Sequence, residues 1–230
     1  MRVSRLHFIF QFALAVGLSS WLQAENLPAD PHAKWEKEIS ALEAKDQANP
    51  AAKGSIVFVG SSSIKKWTTL TEDFPHHRVL NHGFGGSLIE DSVYFADRIV
   101  LADEPRMVVL YAGANDIAAG KTPESVFENF QAFVAKIRAK QPTTPIIFVS
   151  IAGNPSRWTQ VEKVKKANQL VADYIKTQPN LVYIDVFSKM LGDDGLPKPD
   201  IFVADRLHMN AAGYKIWTDV IGPFLPPADR

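Results

Sequence analysis

Two kinds of segment alternate along the chain, and this alternation constrains the fold more than any other feature. Five short runs are rich in Val, Ile and Phe and apolar at nearly every position; they cover residues 55–60, 77–83, 107–113, 145–151 and 181–187. Strands that are covered by other layers on both faces have this pattern. Amphipathic segments of helical length lie before, between and after the runs, at residues 32–47, 62–74, 87–103, 123–140, 157–178 and 210–225.

This alternation predicts the fold class. A strand followed by a helix and then another strand forms a right-handed crossover, and a series of such crossovers builds a mostly parallel sheet with helices on both faces. We therefore predict an α/β fold with three layers, α/β/α, and a flavodoxin-like, mostly parallel sheet of five strands. The sequence has no internal repeat, low-complexity tract or linker that would divide this domain.

The first 24 residues have the composition of a signal peptide. Arg2 and Arg5 precede a mostly apolar run at residues 8–18, and "SSWLQA" follows, ending in the small residue Ala24. A positive segment, a short apolar segment and a small residue at the cut are the three parts of a secretory signal. We expect residues 1–24 to be removed and the remaining domain, residues 25–230, to be exported, to the periplasm or outside the cell. An uncleaved N-terminal anchor is the alternative, although the run is short for a membrane span.

Composition excludes several classes of partner. Lys plus Arg equals Asp plus Glu at 25 each, and neither sign forms a long block. The chain therefore lacks the basic surface that favours nucleic acid or an anionic membrane, and we expect neither a nucleic-acid partner nor stable membrane insertion. No cysteine is present, which excludes thiol chemistry and disulfides. The pair His76–His77 has no second cluster at metal-ligand spacing, so no metal site is expected.

Residues that could form a binding or catalytic site follow four of the predicted strands, at the edge where ligands bind in such sheets. Ser61, Ser62 and Ser63 follow the first strand, and glycines close the second; "GAND" follows the third, and "DRLH" precedes the last helix. Taken singly, a serine after a strand is usually a helix cap, and glycines usually form turns. Together, a hydroxyl, backbone and amide donors, and an Asp/His pair are the groups that acyl transfer needs.

The order of these motifs resembles that of the SGNH (GDSL-like) hydrolases. The blocks that carry Ser, Gly, Asn and His would be "FVGSSSI", "NHGFGGS", "GAND" and "DRLH", and the resemblance covers about residues 54–222. "GAND" and "DRLH" are the most specific blocks. The wording of the first block, with Trp67 soon after it, is most similar to the subgroup near platelet-activating-factor acetylhydrolase subunits. The resemblance implies an esterase that needs no metal or organic cofactor.

The resemblance also implies a role for each site residue. Gly60 aligns with the family's first glycine, which makes Ser62 the nucleophile and places Ser61 where an aspartate is usual. His208 would be the general base and Asp205 the residue that orients it. The oxyanion hole would consist of the Ser62 N–H, the Gly86 N–H and the Asn115 side-chain amide. Asp116 would be a structural carboxylate.

The substrate is less constrained than the chemistry. Arg157 and Trp158 follow the fourth strand and are candidates for the wall of the substrate pocket. A small-molecule ester with a short-chain or acetyl group is the expected substrate. An acyltransferase or deacetylase that acts on acylated glycans would use the same residues and stays open. A non-catalytic binding module is disfavoured, because both nucleophile and base are present.

Overall fold

The computed structural model describes residues 30–48 and 53–227. The predicted signal peptide lies outside the described residues. The strands are β1 Ile56–Gly60, β2 Val79–Gly83, β3 Met107–Tyr111, β4 Ile146–Val149 and β5 Leu181–Ile184. The α-helices are α1 Glu36–Gln47, α2 Ser62–Lys65, α3 Leu70–Asp73, α4 Ile89–Tyr94, α5 Ala96–Ile99, α6 Ala114–Ala118, α7 Pro123–Arg138, α8 Val161–Ile175 and α9 Ala211–Ile221. A 3₁₀ helix at Pro155–Gln160 precedes α8.

The five strands form one sheet in the order β2-β1-β3-β4-β5, and every pairing is parallel. This order is that of the flavodoxin-like folds, so the predicted fold class is confirmed, with a sheet that is entirely rather than mostly parallel. The chain moves outward from β1 to β2 and then returns to the other side of β1 as β3. The reversal leaves a crevice at the carboxyl ends of β1 and β3, where ligands bind in such sheets.

The strands are buried on both faces because helices cover each of them. In β1, Val57 and Val59 pack into a cluster with residues of α1, α4, α5, α7 and α8, whereas Ile56 and Phe58 pack into a second cluster with residues of α2, α3 and α9. All five residues of β1 are buried. This two-sided burial explains why the strands are continuously apolar in the sequence.

Two predicted helices are shorter in the structure than in the sequence pattern. The segment 62–74 forms α2 and α3 with a turn between them, and the segment 87–103 forms α4, α5 and a 3₁₀ turn. In the first case the Asn81 side chain on β2 donates hydrogen bonds to the carbonyls of Ile64 and Trp67, at 2.7 and 3.1 Å. The bend therefore depends on a contact with a neighbouring strand.

Among residues 30–48 and 53–227, no helix combines the length and the apolar character needed to cross a membrane.

Candidate active site

The sharp turn after β1 places Ser62 at the crevice. Gly60 has a φ of +142°, and a Cβ there would lie 1.9 Å from the Tyr111 carbonyl oxygen of the neighbouring strand. Only glycine fits this position. Ser61 is extended, and Ser62 is the first residue of α2. The backbone of α2 lies directly against β2, since a Cβ on Gly83 would lie 2.1 Å from the Lys65 nitrogen.

Ser62, His208 and Asp205 form a continuous hydrogen-bonded series. The distance from Ser62 Oγ to His208 Nε2 is 2.8 Å, and that from His208 Nδ1 to Asp205 Oδ2 is 2.6 Å. The Asp205 carboxylate accepts from Nδ1, which leaves Nε2 free to accept the proton of Ser62. Hydrogen bonds from the His208 side chain and from the backbone N–H groups of His208 and Leu207 hold the pKa of Asp205 well below its usual range.

The loop before α9 holds the Asp/His pair in this arrangement. The loop closes on itself, because Val203 N–H donates to the His208 carbonyl at 2.9 Å and Arg206 adopts a left-handed φ of 57° at the turn. Asp205 Oδ1 accepts both the Leu207 and His208 N–H groups, each at 2.9 Å. Asn210 then caps α9 by accepting N–H groups from its first turn. Local hydrogen bonds thus fix the positions of His208 and Asp205.

The three donors predicted for the oxyanion hole lie on three different segments, at the start of α2, in the loop after β2 and on α6. Asn115 lies on α6, and its Nδ2 donates to the Ser87 carbonyl at 3.0 Å, beside Gly86. Gly86 has a φ of +76°, in the left-handed region that favours glycine. Within the described part of the chain, the backbone N–H groups of Ser62 and Gly86 have no hydrogen-bond acceptor. Both are therefore available to an oxygen of a bound substrate.

Asp116 is fully buried next to Asn115 and supports this arrangement. Both of its carboxylate oxygens lie 3.3 Å from the Ile89 nitrogen, at the start of α4. Asn115 and Asp116 together therefore tie α6 to the segment that follows Gly86. Burial raises the pKa of Asp116 to about 6, although the hydrogen bond from Ile89 opposes this shift.

Arg157 and Trp158 take different positions. Arg157 Nη1 donates to Asn115 Oδ1 at 3.0 Å and to the Ala114 carbonyl at 3.2 Å, and its side chain lines the same cavity as Ser62. Trp158 is stacked on Phe187 with 6.4 Å between ring centroids and lines a smaller neighbouring cavity. The structure thus places Arg157 in the same cavity as Ser62, the predicted nucleophile, and Trp158 in the wall of the neighbouring cavity.

The cavity beside Ser62 is narrow. About 20 Å³ is open to the centre of a water molecule, which is space for one or two waters. Burial raises the pKa of the Tyr111 phenol, and Tyr111 and Ser63 both line the cavity. Most of the remaining lining is apolar: Ala114, Ala152, Met190, Phe202, Leu207, Met209 and Trp217.

One group of possible metal ligands lies elsewhere in the described residues. Donor atoms of Asp46, His82 and Asp103 lie within 4.8 Å of one another. His82 Nδ1 donates to the Ile99 carbonyl, and Nε2 lies 3.0 Å from an Asp46 oxygen. Burial raises the pKa of Asp103 to about 6. The group contains none of the residues predicted to be catalytic.

Sequence reasoning missed three residues that contact or position the site. Lys66 Nζ lies 3.3 Å from His208 Nδ1, and Asn81 and Gly83 fix α2 against β2. Gly83 was visible only as part of a glycine cluster, which usually indicates a turn. Lys66 belongs to no sequence motif, and although Asn81 begins the block "NHGFGGS", nothing in that block indicates that its side chain contacts α2.

Several solved structures share this fold. A candidate platelet activating factor from Streptococcus pneumonia superimposes with a TM-score of 0.75 at 20% identity, over 84% of this chain and 94% of that one. A GDSL-like lipase from Bacteroides thetaiotaomicron gives a TM-score of 0.67 at 19% identity, over 84% and 96% of the two chains. A candidate acylhydrolase from Bacteroides fragilis gives 0.68 at 20% identity, over 85% and 96%. At these identities the likeness shows a shared fold.

Family membership comes from the sequence itself. No curated protein matches the chain. The model of the GDSL-like lipase/acylhydrolase family matches residues 55–216, which is more than half of the chain. This stretch begins just before β1 and ends within α9, so it includes all five strands and every residue of the series from Ser62 to His208. The chain therefore belongs to the GDSL-like lipase/acylhydrolase family and is a serine hydrolase that acts on esters.

Proposed function

We propose that this protein hydrolyses short-chain esters, acetyl esters above all, through an acyl-enzyme formed on Ser62. The observation that carries the proposal is the hydrogen-bonded series from Ser62 through His208 to Asp205, at 2.8 and 2.6 Å, which opens into a cavity of very small volume. The series supplies a nucleophile, a base and a group that fixes the base.

Acylation follows from the direction of these hydrogen bonds. Ser62 Oγ attacks the ester carbonyl carbon while its proton passes to His208 Nε2. The negative charge that develops on the carbonyl oxygen is stabilised by the N–H groups of Ser62 and Gly86 and by Asn115 Nδ2. The bond to the alcohol oxygen then breaks, the alcohol takes the proton from His208, and the acyl group remains on Ser62.

Deacylation uses the same groups with water as the nucleophile. Water attacks the acyl carbonyl and gives its proton to His208, and the second tetrahedral intermediate collapses to release the carboxylic acid as the proton returns to Ser62. Asp205 stays ionised throughout, which agrees with its lowered pKa. It holds Nδ1–H in place and stabilises the imidazolium that forms twice in each cycle.

The cavity supports a preference for small acyl groups. Met190, Phe202 and Met209 form part of its wall, and each is at most 8% exposed. A methyl group fits into the available space, whereas a long acyl chain would require these packed side chains to move. Displacing packed side chains costs free energy, so kcat/KM should fall as acyl length increases.

Substitution of the three neighbouring serines tests the assignment of the nucleophile. We expect Ser62→Ala to reduce kcat on p-nitrophenyl acetate by about 10⁴-fold or more and to abolish labelling by a fluorophosphonate. Ser61→Ala and Ser63→Ala are the matched controls and should keep labelling and most of the activity. Labelling that survives Ser62→Ala and disappears in a neighbouring variant would assign the nucleophile to that neighbour.

A panel of esters tests the acyl preference in the same preparations. The expected order of kcat/KM is acetate above butyrate above octanoate on nitrophenyl esters. Acetylated glycans belong in the panel, because the same catalytic groups would act on them. A kcat/KM that rises with acyl length would contradict the short-chain proposal while leaving the role of Ser62 intact.

A further inference from the structure

We propose that Arg157 is a positioning residue for the oxyanion hole, which fixes the Asn115 side-chain amide in its donating orientation. The inference rests on the proposed function, because it assigns Asn115 Nδ2 to the oxyanion. Arg157 acts here through Asn115 and makes no contact with the reacting atoms.

The amide of Asn115 lies between two groups of opposite hydrogen-bonding character. A guanidinium can only donate, so the amide atom that faces Arg157 Nη1 at 3.0 Å is the oxygen Oδ1. A carbonyl can only accept, so the atom that faces the Ser87 oxygen at 3.0 Å is the nitrogen Nδ2. A flipped amide would place two donors and two acceptors against each other. The two contacts therefore select one orientation, in which the second N–H of Nδ2 is left for a substrate oxygen.

Arg157 is itself held firmly at this position. Its Nη1 also donates to the Ala114 carbonyl at 3.2 Å, and its backbone N–H donates to Asn154 Oδ1 at 2.9 Å. Its backbone is not helical, with φ −121° and ψ 22°, and Arg157 therefore lies at a kink within the 3₁₀ helix. Ser156 N–H donates to the Arg206 carbonyl at 3.1 Å, which joins this segment to the loop that carries Asp205 and His208.

The charge of Arg157 adds to the effect of its geometry. A hydrogen bond from a guanidinium is charge-assisted, and it polarises the amide that accepts it, which makes Nδ2 a stronger donor. The benefit is largest when the substrate oxygen carries negative charge, that is, in the transition state rather than in the bound ester. The loss of Arg157 should therefore lower kcat more than it changes KM.

A double-mutant cycle with Asn115 tests this coupling on p-nitrophenyl acetate. We expect Arg157→Met to lower kcat by about 10- to 100-fold with KM nearly unchanged. In the Asn115→Ala background the same substitution should change kcat by less than about threefold, because the amide it positions is absent. Arg157→Lys should recover part of kcat, since an ammonium can donate to Oδ1. Lys163→Met on α8 removes an exposed positive charge and is the control.

Four outcomes would overturn the proposal. A large rise in KM with kcat preserved would make Arg157 a substrate contact, and losses that multiply in the double variant would make it independent of Asn115. No recovery by Arg157→Lys, or a fall in melting temperature with kcat per folded molecule preserved, would also contradict it. Ser62→Ala in the same assay distinguishes failure of this proposal from failure of the proposed function. Activity that survives Ser62→Ala would contradict the proposed function, whatever the result for Arg157.

Discussion

Burial changes the acid–base behaviour of one carboxyl group near the site. Asp116 is fully buried, and burial raises its pKa to about 6 from an unfolded value of about 3.9. A carboxyl group whose pKa is higher in the folded chain binds its proton more tightly there. The contribution of Asp116 to the free energy of unfolding should therefore be greatest below about pH 4 and should be lost as the pH rises to about 6. The difference between the folded and unfolded pKa of Asp116 corresponds to roughly 3 kcal/mol.

Replacement of Asp116 by asparagine should remove this contribution. The amide oxygen can still accept the Ile89 N–H, and the side chain no longer ionises. We expect Asp116→Asn to lose less unfolding free energy than the parent as the pH rises from 4 to 6, and to be at least as stable as the parent at pH 7.5. Urea denaturation at several pH values measures this. Asp219→Asn, on an exposed residue of α9, is the control, and an unchanged slope in Asp116→Asn would refute the assignment.

At the scale of elements, the position of Ser62, the proposed nucleophile, depends on a very short helix. Four residues are too few for a helix to be stable alone, so α2 is held by its neighbours. Asn81 on β2 binds its last turn, Gly83 allows its backbone to lie against the sheet, and the Tyr214 hydroxyl of α9 donates to the Ser63 carbonyl at 2.9 Å. Ser62 is thus located by contacts from a strand and from the last α-helix.

The close approach at Gly83 gives a prediction for this element. A methyl group there would lie 2.1 Å from the Lys65 nitrogen, and backbone cannot move aside as the end of a side chain can. We expect Gly83→Ala to shift α2, to destabilise the fold by roughly 1–3 kcal/mol and to lower kcat per folded molecule. Thermal melting and kinetics on one preparation measure both effects.

Gly222→Ala is the control for that substitution, because a Cβ there meets only Phe74 at an ordinary 3.8 Å. A Gly83→Ala variant with parental melting temperature and kcat would show that α2 tolerates the displacement and that the glycine does not fix the nucleophile.

Elements and site differ in how far the sequence could predict them. The five strands were predicted within a few residues at each end, because two-sided burial leaves a continuous apolar pattern. The division of 62–74 into α2 and α3 was not predicted, because it depends on hydrogen bonds from the Asn81 side chain on β2. Ser62 and His208 could be proposed from their motifs, whereas the contact between Arg157 and Asn115 joins residues 42 apart and depends on side-chain direction.

At the scale of the whole molecule, the sequence also predicts a compartment. We propose that residues 1–24 act as a signal peptide, on the evidence of Arg2, Arg5 and the short apolar run that ends before Ala24. Expression in an export-competent host followed by intact-mass analysis should give a chain that begins at Glu25 in the periplasmic or extracellular fraction. A chain that retains residues 1–24 in the membrane fraction would support the anchored alternative instead.

The hydrogen bond between Ser62 and His208 joins residues 146 apart, near the two ends of the folded domain. During synthesis on the ribosome, β1 and the serine emerge early, whereas the loop with the imidazole emerges close to the end. On the proposed mechanism, a nascent chain that stops before residue 205 carries the nucleophile without the base that activates it. Ester hydrolysis is then expected to begin only after the loop has been translated and His208 has reached Ser62, so the order of synthesis itself would keep incomplete chains inactive.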